Sequence, residues 1–251
     1  MLSPGLAERP YLSLWPFYRL LAASSEGARL VEHDGVTAAI VPATPDRSVT
    51  NGVVYESPQA LERALEPLAA TYAEAGTRAW TVWVPEHDRG AQELLAGAGH
   101  RLDATPAAMA LALAAFEPVS IAGLEIDHDP PASAAGRIND AAYGYDGDFA
   151  RAFAAVPEEL NLYAAKLDGK PVACAGTIHE GGDCGVYLVG TLPSARGRGL
   201  ATKLMSVALE AARAAGCESA SLQSTAMGRP IYARLGFQDF GTIQMWERRA
   251  G

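Results

Sequence analysis

The stretch YLVGTLPSARGRGLA, residues 187–201, constrains this chain more than any other: an apolar strand must end, turn through glycines flanked by arginine, and open a helix. The strand is Gly185-Val186-Tyr187-Leu188-Val189-Gly190-Thr191, a β-branched and aromatic run closed by Pro193, which cannot continue a ladder. Leu200, Leu204, Val207, Ala208 and Ala211 recur three and four apart, predicting a helix that stops at Gly216. Between them, Arg196-Gly197-Arg198-Gly199 brings main chain without Cβ up to the first turn of that helix, whose N–H groups lack partners and carry partial positive charge. An anion is expected there, and a phosphate suits it.

Elimination narrows the phosphate. A dinucleotide fingerprint needs Gly or Ala where Thr202 stands and an acid about 20 residues on, where Gln223 and Ser224 lie. A Walker A loop needs Gly-Lys-Ser/Thr, which is absent. Arg196, Gly199 and Ala201 instead fill the pattern Q/RxxGxG/A, and on these residues the chain resembles the GNAT superfamily of N-acetyltransferases, whose acyl-CoA loop has that form. Arg198 and Lys203 add positive charge beside it. The continuation SLQSTAMGRPIYARLGF reads as a short strand and a short helix, with Pro230 in the first turn and Gly236-Phe237 as the stop. The GNAT fold closes in the same order, and Tyr232 stands where its members often aim a tyrosine at the CoA sulfur. The resemblance spans about residues 117–249.

It implies an α/β fold with a mixed sheet and an N-acetyltransferase that moves acetyl from acetyl-CoA to the primary amine of a small molecule or amino acid derivative. Acetyl-CoA is then a co-substrate, and no metal is expected. The strand before the loop would splay from its neighbour, so that Val189, Gly190 and Thr191, the turn residues Arg196, Gly197, Arg198, Gly199, Leu200 and Ala201, and Ser224 contact the donor. Gly190 suits either a strand irregularity or a tight packing spot. Tyr232 would act as general acid, since an ordinary phenol with pKa about 10 keeps its proton at neutral pH; a tyrosine packed in the core is the other interpretation. The segment AAYGYDGDF, residues 141–149, would lie over the acceptor channel, with Tyr143, Tyr145 and Phe149 around an organic substrate and Asp146 and Asp148 facing a cationic amine. Those residues also make ordinary turns. No general base stands out: His179, Glu180 and Asp183 sit in HEGGDCG, which reads first as a solvated hairpin tip. A non-catalytic acyl-CoA sensor or scaffold is the alternative function.

Composition excludes several classes. A formal charge of −9 argues against nucleic acid as partner. Runs such as AAMALALAAF are too short to span a bilayer, and MLSPGLAERP lacks the basic region and apolar core of a secretory signal. Cys174, Cys184 and Cys217 are odd in number, lack metal-type spacing and suit buried positions in a reducing compartment. His33, His87, His100 and His128 form no triad or metal set. A cytoplasmic monomer or homodimer is expected.

The chain also resembles itself. Residues 57–113 read as helix (SPQALERALEPLAATYAEAG), strand (RAWTVWV), short helix (AQELLAGAG) and strand (HRLDATPAAMALAL), the order found from about 199 to 247. Setting Gly76 on Gly216 aligns the strands at a shift of 140, and setting Gly99 on Gly236 aligns the terminal helices at 137, with Met109 within one residue of Trp246. Two tandem GNAT-like units follow, a degenerate one over residues 1–116 and a catalytic one over 117–251, with AFEPVSIAG (115–123) as crossover. In the first unit Leu95 replaces Tyr232, and GVVYES joins SPQALERAL with no glycine pair or arginine. Ser57 caps that helix, Pro58 enters its first turn, and Pro67 predicts a kink or break. Such a unit is expected to wall the acceptor pocket or stabilise its neighbour. Upstream, YLSLWPFYRLLAAS reads as a first helix entered through Pro16, and ARLVEHDGVTAAIV as two strands about Asp34-Gly35. Downstream, LEIDHD is a strand, SAAGRINDAAY a helix, and NLYAAKLDGKPVACAGTIHE a hairpin turning at Asp168-Gly169-Lys170.

Overall fold

A computed structural model of the protein describes residues 5–120, 123–155 and 157–250. Two positions of the crossover segment, 121 and 122, and the first four of the N-terminal stretch lie outside the described residues.

The N-terminal helix forms in two segments, α1 (Arg9–Leu12) and α2 (Leu14–Leu21), with Pro16 in the first turn of the second. A hairpin follows, β1 (Arg29–His33) and β2 (Val36–Ile40), turning at Asp34 and Gly35, both at positive φ as a tight two-residue loop requires. Next come β3 (Gly52–Tyr55), α3 (Pro58–Glu74), β4 (Ala79–Pro85) and α4 (Arg89–Gly97). Ser57 caps α3 by accepting from the Ala60 N–H at 3.2 Å. The helix runs through Pro67 without the break that is one of the two outcomes expected there, a kink or a break. Pro67 and Arg63, whose carbonyl loses its helical donor, both lie on the exposed face, where that carbonyl is open to solvent.

The segment expected as one strand over 100–113 divides at Thr105 and Pro106 into β5 (Arg101–Ala104) and β6 (Ala107–Ala112). After the crossover come β7 (Glu125–Asp127), α5 (Ala132–Tyr143), α6 (Asp148–Ala152), β8 (Leu160–Leu167), β9 (Lys170–Glu180) and β10 (Asp183–Thr191). The β8–β9 and β9–β10 hairpins turn at Asp168-Gly169 and Gly181-Gly182, all at positive φ. The chain closes with α7 (Leu200–Ala214), β11 (Ser219–Ser224), α8 (Arg229–Arg234) and β12 (Gln238–Arg249).

The strands join in the order β1-β2-β3-β4-β12-β6-β11-β10-β9-β8-β7, and β5 also pairs with β12. The two halves therefore exchange their last strands. β6, from the first half, lies antiparallel to β11, and β12, from the second, lies antiparallel to β4. The exchange is reciprocal in register: Met109 faces Leu222, and Trp246 faces Val82, which is the same pair displaced by the sequence shifts of 137 and 140. Near Gly241, at positive φ, β12 slips register against β6 and so passes from one half to the other.

Three apolar clusters fill the molecule. One lies under α3 and α4 against β2 to β4, and another under α7 and α8 against β6 and β9 to β11. The third joins the halves, packing Leu14, Phe17 and Tyr18 of α2 with Ile138 of α5, Phe149 of α6, Tyr187, and Ile243 and Met245 of β12. Cys174, Cys184 and Cys217 are free thiols buried in the core.

Cleavage within 116–118 should leave both pieces associated on gel filtration, because each carries a central strand of the other's sheet; either piece alone should show no cooperative unfolding. His100 is 3% exposed, and burial holds its pKa down at about 4, with Arg248 contributing, against 6.5 when unfolded. Unfolding then takes up a proton between those values, so this group's part of the stability falls as pH drops from about 6.5 towards 4. Chemical denaturation across that range should show the loss in the wild type and a flatter profile in His100→Phe.

Candidate functional site

β10 and β11 pair in parallel from Asp183 opposite Ser219 to Gly185 opposite Ser221, and pairing then stops although both strands continue. The gap opens into a cleft of about 620 Å³. β10 also slips register against β9 between Tyr187 and Gly190, and Leu188 within that bulge sits at φ 54°. A left-handed leucine costs about 1–2 kcal/mol, so its surroundings must hold it there. They do so through its own and the next carbonyl: the Cys174 thiol donates to Leu188 O at 3.1 Å and the Tyr143 hydroxyl to Val189 O at 3.0 Å. Gly190 itself takes the packing role, since a Cβ there would meet Ala142 Cβ at 3.3 Å and Asn139 Cα at 3.4 Å.

At the mouth of the cleft the chain turns through Gly197 and Gly199, both left-handed, and Gly199 is the N-cap residue of α7. A Cβ at either would meet nothing within 4 Å, so these glycines serve the backbone path and leave the turn open on its outer side. The first-turn N–H groups of a fifteen-residue helix, Leu200 to Thr202, thus border open space, with Lys203 and Arg234 lining the same cleft. Arg196 is clasped elsewhere: its Nη2 donates to Ala142 O at 2.6 Å and its Nε to Thr191 O at 3.3 Å, tying the turn to the end of α5.

On the opposite wall, Pro230 in the first turn of α8 and the close fit of Gly228, where a Cβ would lie 3.0 Å from Tyr232 Cε2, set the tyrosine ring facing the gap. Tyr232 is 7% exposed and meets Phe237 edge to face at 5.6 Å. Burial, with a further contribution from Tyr143, pushes its pKa well above that of a free phenol. Its hydroxyl has no hydrogen-bond partner among the described residues.

Of the residues singled out from sequence, Val189, Gly190, Thr191, Arg196, Gly197, Gly199, Leu200, Ala201, Ser224, Tyr232 and Tyr143 line the cleft, whereas Arg198, Tyr145, Asp146 and Phe149 do not. Tyr145 and Phe149 stack in an aromatic column with Tyr143 and Phe153, and the Arg47 guanidinium lies 4.0 Å over the Tyr145 ring. Asp148 faces no open amine site, because Arg47 and Arg151 bind its two oxygens at 2.7 and 2.6 Å. The base candidates sit at the far end of the β9–β10 hairpin. Glu180 faces Arg19, Asp183 accepts from Ser219 and Ser221, and His179 contacts Thr177 at 3.3 Å. Sequence reasoning missed Gln223, which lines the cleft; strand alternation places it on the face of Ser219 and Ser221, but its partners come from α1.

The first half holds a corresponding gap. β3 and β4 pair in parallel only at Gly52 with Thr81 and Val53 with Val82. Here the Tyr11 hydroxyl fills the opening, donating to Tyr55 O at 3.0 Å, near Trp83 O at 3.3 Å, and accepting from the Tyr55 N–H at 3.3 Å. α3 then starts on its Ser57 cap in place of a glycine turn.

A gap between parallel strands that leads to an open helix N-terminus is the feature on which comparison turns. Residues 125–237 match the sequence model of the acetyltransferase (GNAT) family. Solved structures share the fold over the whole chain. A GCN5-related N-acetyltransferase from Kribbella flavida is 24% identical, with TM-score 0.71 over 98% of this chain and 97% of that one. A GCN5-related N-acetyltransferase from Sphaerobacter thermophilus is 18% identical, with TM-score 0.60 over 99% and 95%. A tandem GNAT protein from the clavulanic acid biosynthesis pathway is 16% identical, with TM-score 0.57 over 99% and 98%. No curated protein sequence matches the chain. Among the described residues no helix is long and apolar enough to cross a membrane.

Proposed function

We propose that this protein is an acetyl-CoA-dependent N-acetyltransferase acting on the primary amine of a small molecule or amino acid derivative, in the cytoplasm. The observation that carries the proposal is the gap between β10 and β11 ending on the Gly197–Gly199 turn. Its unpaired strand edges suit an extended thioester arm, and the unpaired N–H groups of α7 suit a diphosphate. Lys203 and Arg234 line the same cleft and supply further positive charge. We assign Arg196 to holding the turn on α5, with its guanidinium on main-chain carbonyls.

Transfer joins the acceptor nitrogen to the thioester carbon and breaks the carbon–sulfur bond. We assign the stabilisation of the charge that grows on the carbonyl oxygen to main chain of the β10 bulge, which lines the cleft. The departing sulfur needs a proton, and Tyr232 is assigned to deliver it: burial keeps the phenol protonated, and its hydroxyl is not committed to another group.

The first half is assigned as a degenerate unit of the same kind. It repeats the order of elements and the register of the second half, while Tyr11 occupies the main-chain groups that would face a donor arm and Ser57 occupies the helix end. It serves the second half by lending β6 and by laying α1 and α2 over the shared core.

Thiol release from acetyl-CoA across a panel of amines tests the proposal. Release with at least one amine is expected, and Tyr232→Phe should lower turnover roughly 10²-fold or more while heat protection by CoA stays unchanged. Heat protection without release from any amine would favour a non-catalytic acyl-CoA sensor, and equal turnover in the variant would remove Tyr232 from the chemistry.

A further inference from the structure

The described residues lining the cleft include no Asp, Glu or His. Three acids on the neighbouring elements are engaged. Asp140 accepts from the Phe149 and Ala150 N–H groups at 2.8 and 3.0 Å, Asp148 holds Arg47 and Arg151, and Asp183 holds Ser219 and Ser221. An ammonium entering this cleft meets no side chain suited to take its proton, and the cations Arg196, Lys203 and Arg234 disfavour its charge.

Among the neutral polar side chains of the described residues lining the cleft, Gln223 is the one amide. Gln223 donates through Nε2 to Pro10 O and to Ser13 Oγ at 3.2 Å. The Pro10 carbonyl can only accept, so these bonds fix which end of the amide is nitrogen. That leaves Oε1 as the end without a partner among the described residues, on a residue that borders the cleft. An amide oxygen orients an N–H but does not remove a proton at neutral pH.

We propose that the acceptor is a weakly basic primary amine, with pKa near 8 or below, which enters as the free base with one N–H on Gln223 Oε1. This rests on the acetyl-transfer assignment above. The nitrogen lone pair forms the bond to the thioester carbon, the carbon–sulfur pair leaves with sulfur, and sulfur takes the Tyr232 proton. The proton shed by nitrogen returns through solvent to the Tyr232 oxygen, so no other reactant is consumed. Rate then follows the free-base fraction of the acceptor. At pH 7 an α-amine with pKa about 7.8 is roughly a tenth neutral, and a lysine-type amine with pKa about 10.4 roughly one part in 2,500, a ratio of about 300.

The test measures kcat/KM against pH for an α-amine and an ε-amine of similar bulk, by thiol release from acetyl-CoA. The α-amine should lead by about 300-fold at pH 7, with its profile levelling near its own pKa while the ε-amine profile still rises at pH 9. Gln223→Leu should raise KM for the α-amine about tenfold, with heat protection by CoA unchanged. A common inflection for both amines would reveal a base on the protein and overturn the proposal, as would preference for the ε-amine at pH 7. An unchanged KM in Gln223→Leu would overturn the role given to that residue. Heat protection by CoA with no release from any amine would instead overturn acetyl transfer itself, and this proposal with it.

Discussion

Parallel pairing between β10 and β11 ends after Gly185 and Ser221, and the rest of the site depends on that gap staying open. Two unpaired strand edges in a protein interior would ordinarily close on each other or draw in another group, since buried main-chain N–H and C=O groups need partners. Here each strand is fixed from its far side. β9 holds β10, and the borrowed strand β6 holds β11 along its whole length, from Ser219 to Ser224. Within β10 the bulge turns main chain away from the ladder, and Cys174 and Tyr143 take up the carbonyls of Leu188 and Val189. The gap of the first half shows the other outcome, with the Tyr11 hydroxyl bonded across it.

This arrangement gives the exchanged strands their purpose. β6 is at once the last strand of one half and the wall behind the cleft of the other. α1 strengthens the link. Tyr11 closes the first gap, while Pro10 and Ser13, on either side of it, receive Gln223 and Tyr187 from the second. Both gaps are therefore referred to one short helix, and a shift of α1 would reach Gln223 on the cleft wall directly.

Much of this was legible in the sequence, for local reasons. The Asp34-Gly35 and Asp168-Gly169 hairpins, the Ser57 cap and the Gly197–Gly199 turn are fixed by backbone preferences of a few neighbouring residues. The register shifts of 137 and 140 survived into the pairing of Met109 with Leu222 and Trp246 with Val82. What stayed hidden was long-range. β6 (AAMALA) is apolar throughout and β12 (QDFGTIQMWERR) mixes polar and apolar residues, but the pattern along a strand does not say which sheet it joins. The pairing of Asp148 with Arg47, 101 residues away, and of Gln223 with Pro10, 213 away, follows from that exchange. Arg196 fits the diphosphate motif by position, yet its long side chain reaches the end of α5.

The most direct test of the central claim is amide hydrogen exchange with and without CoA. Added protection should fall on residues 188–191 and 196–203, with none on the Tyr11-filled gap at 52–58. Protection at 52–58, or none at 196–203, would contradict the assignment of the second gap as the donor site.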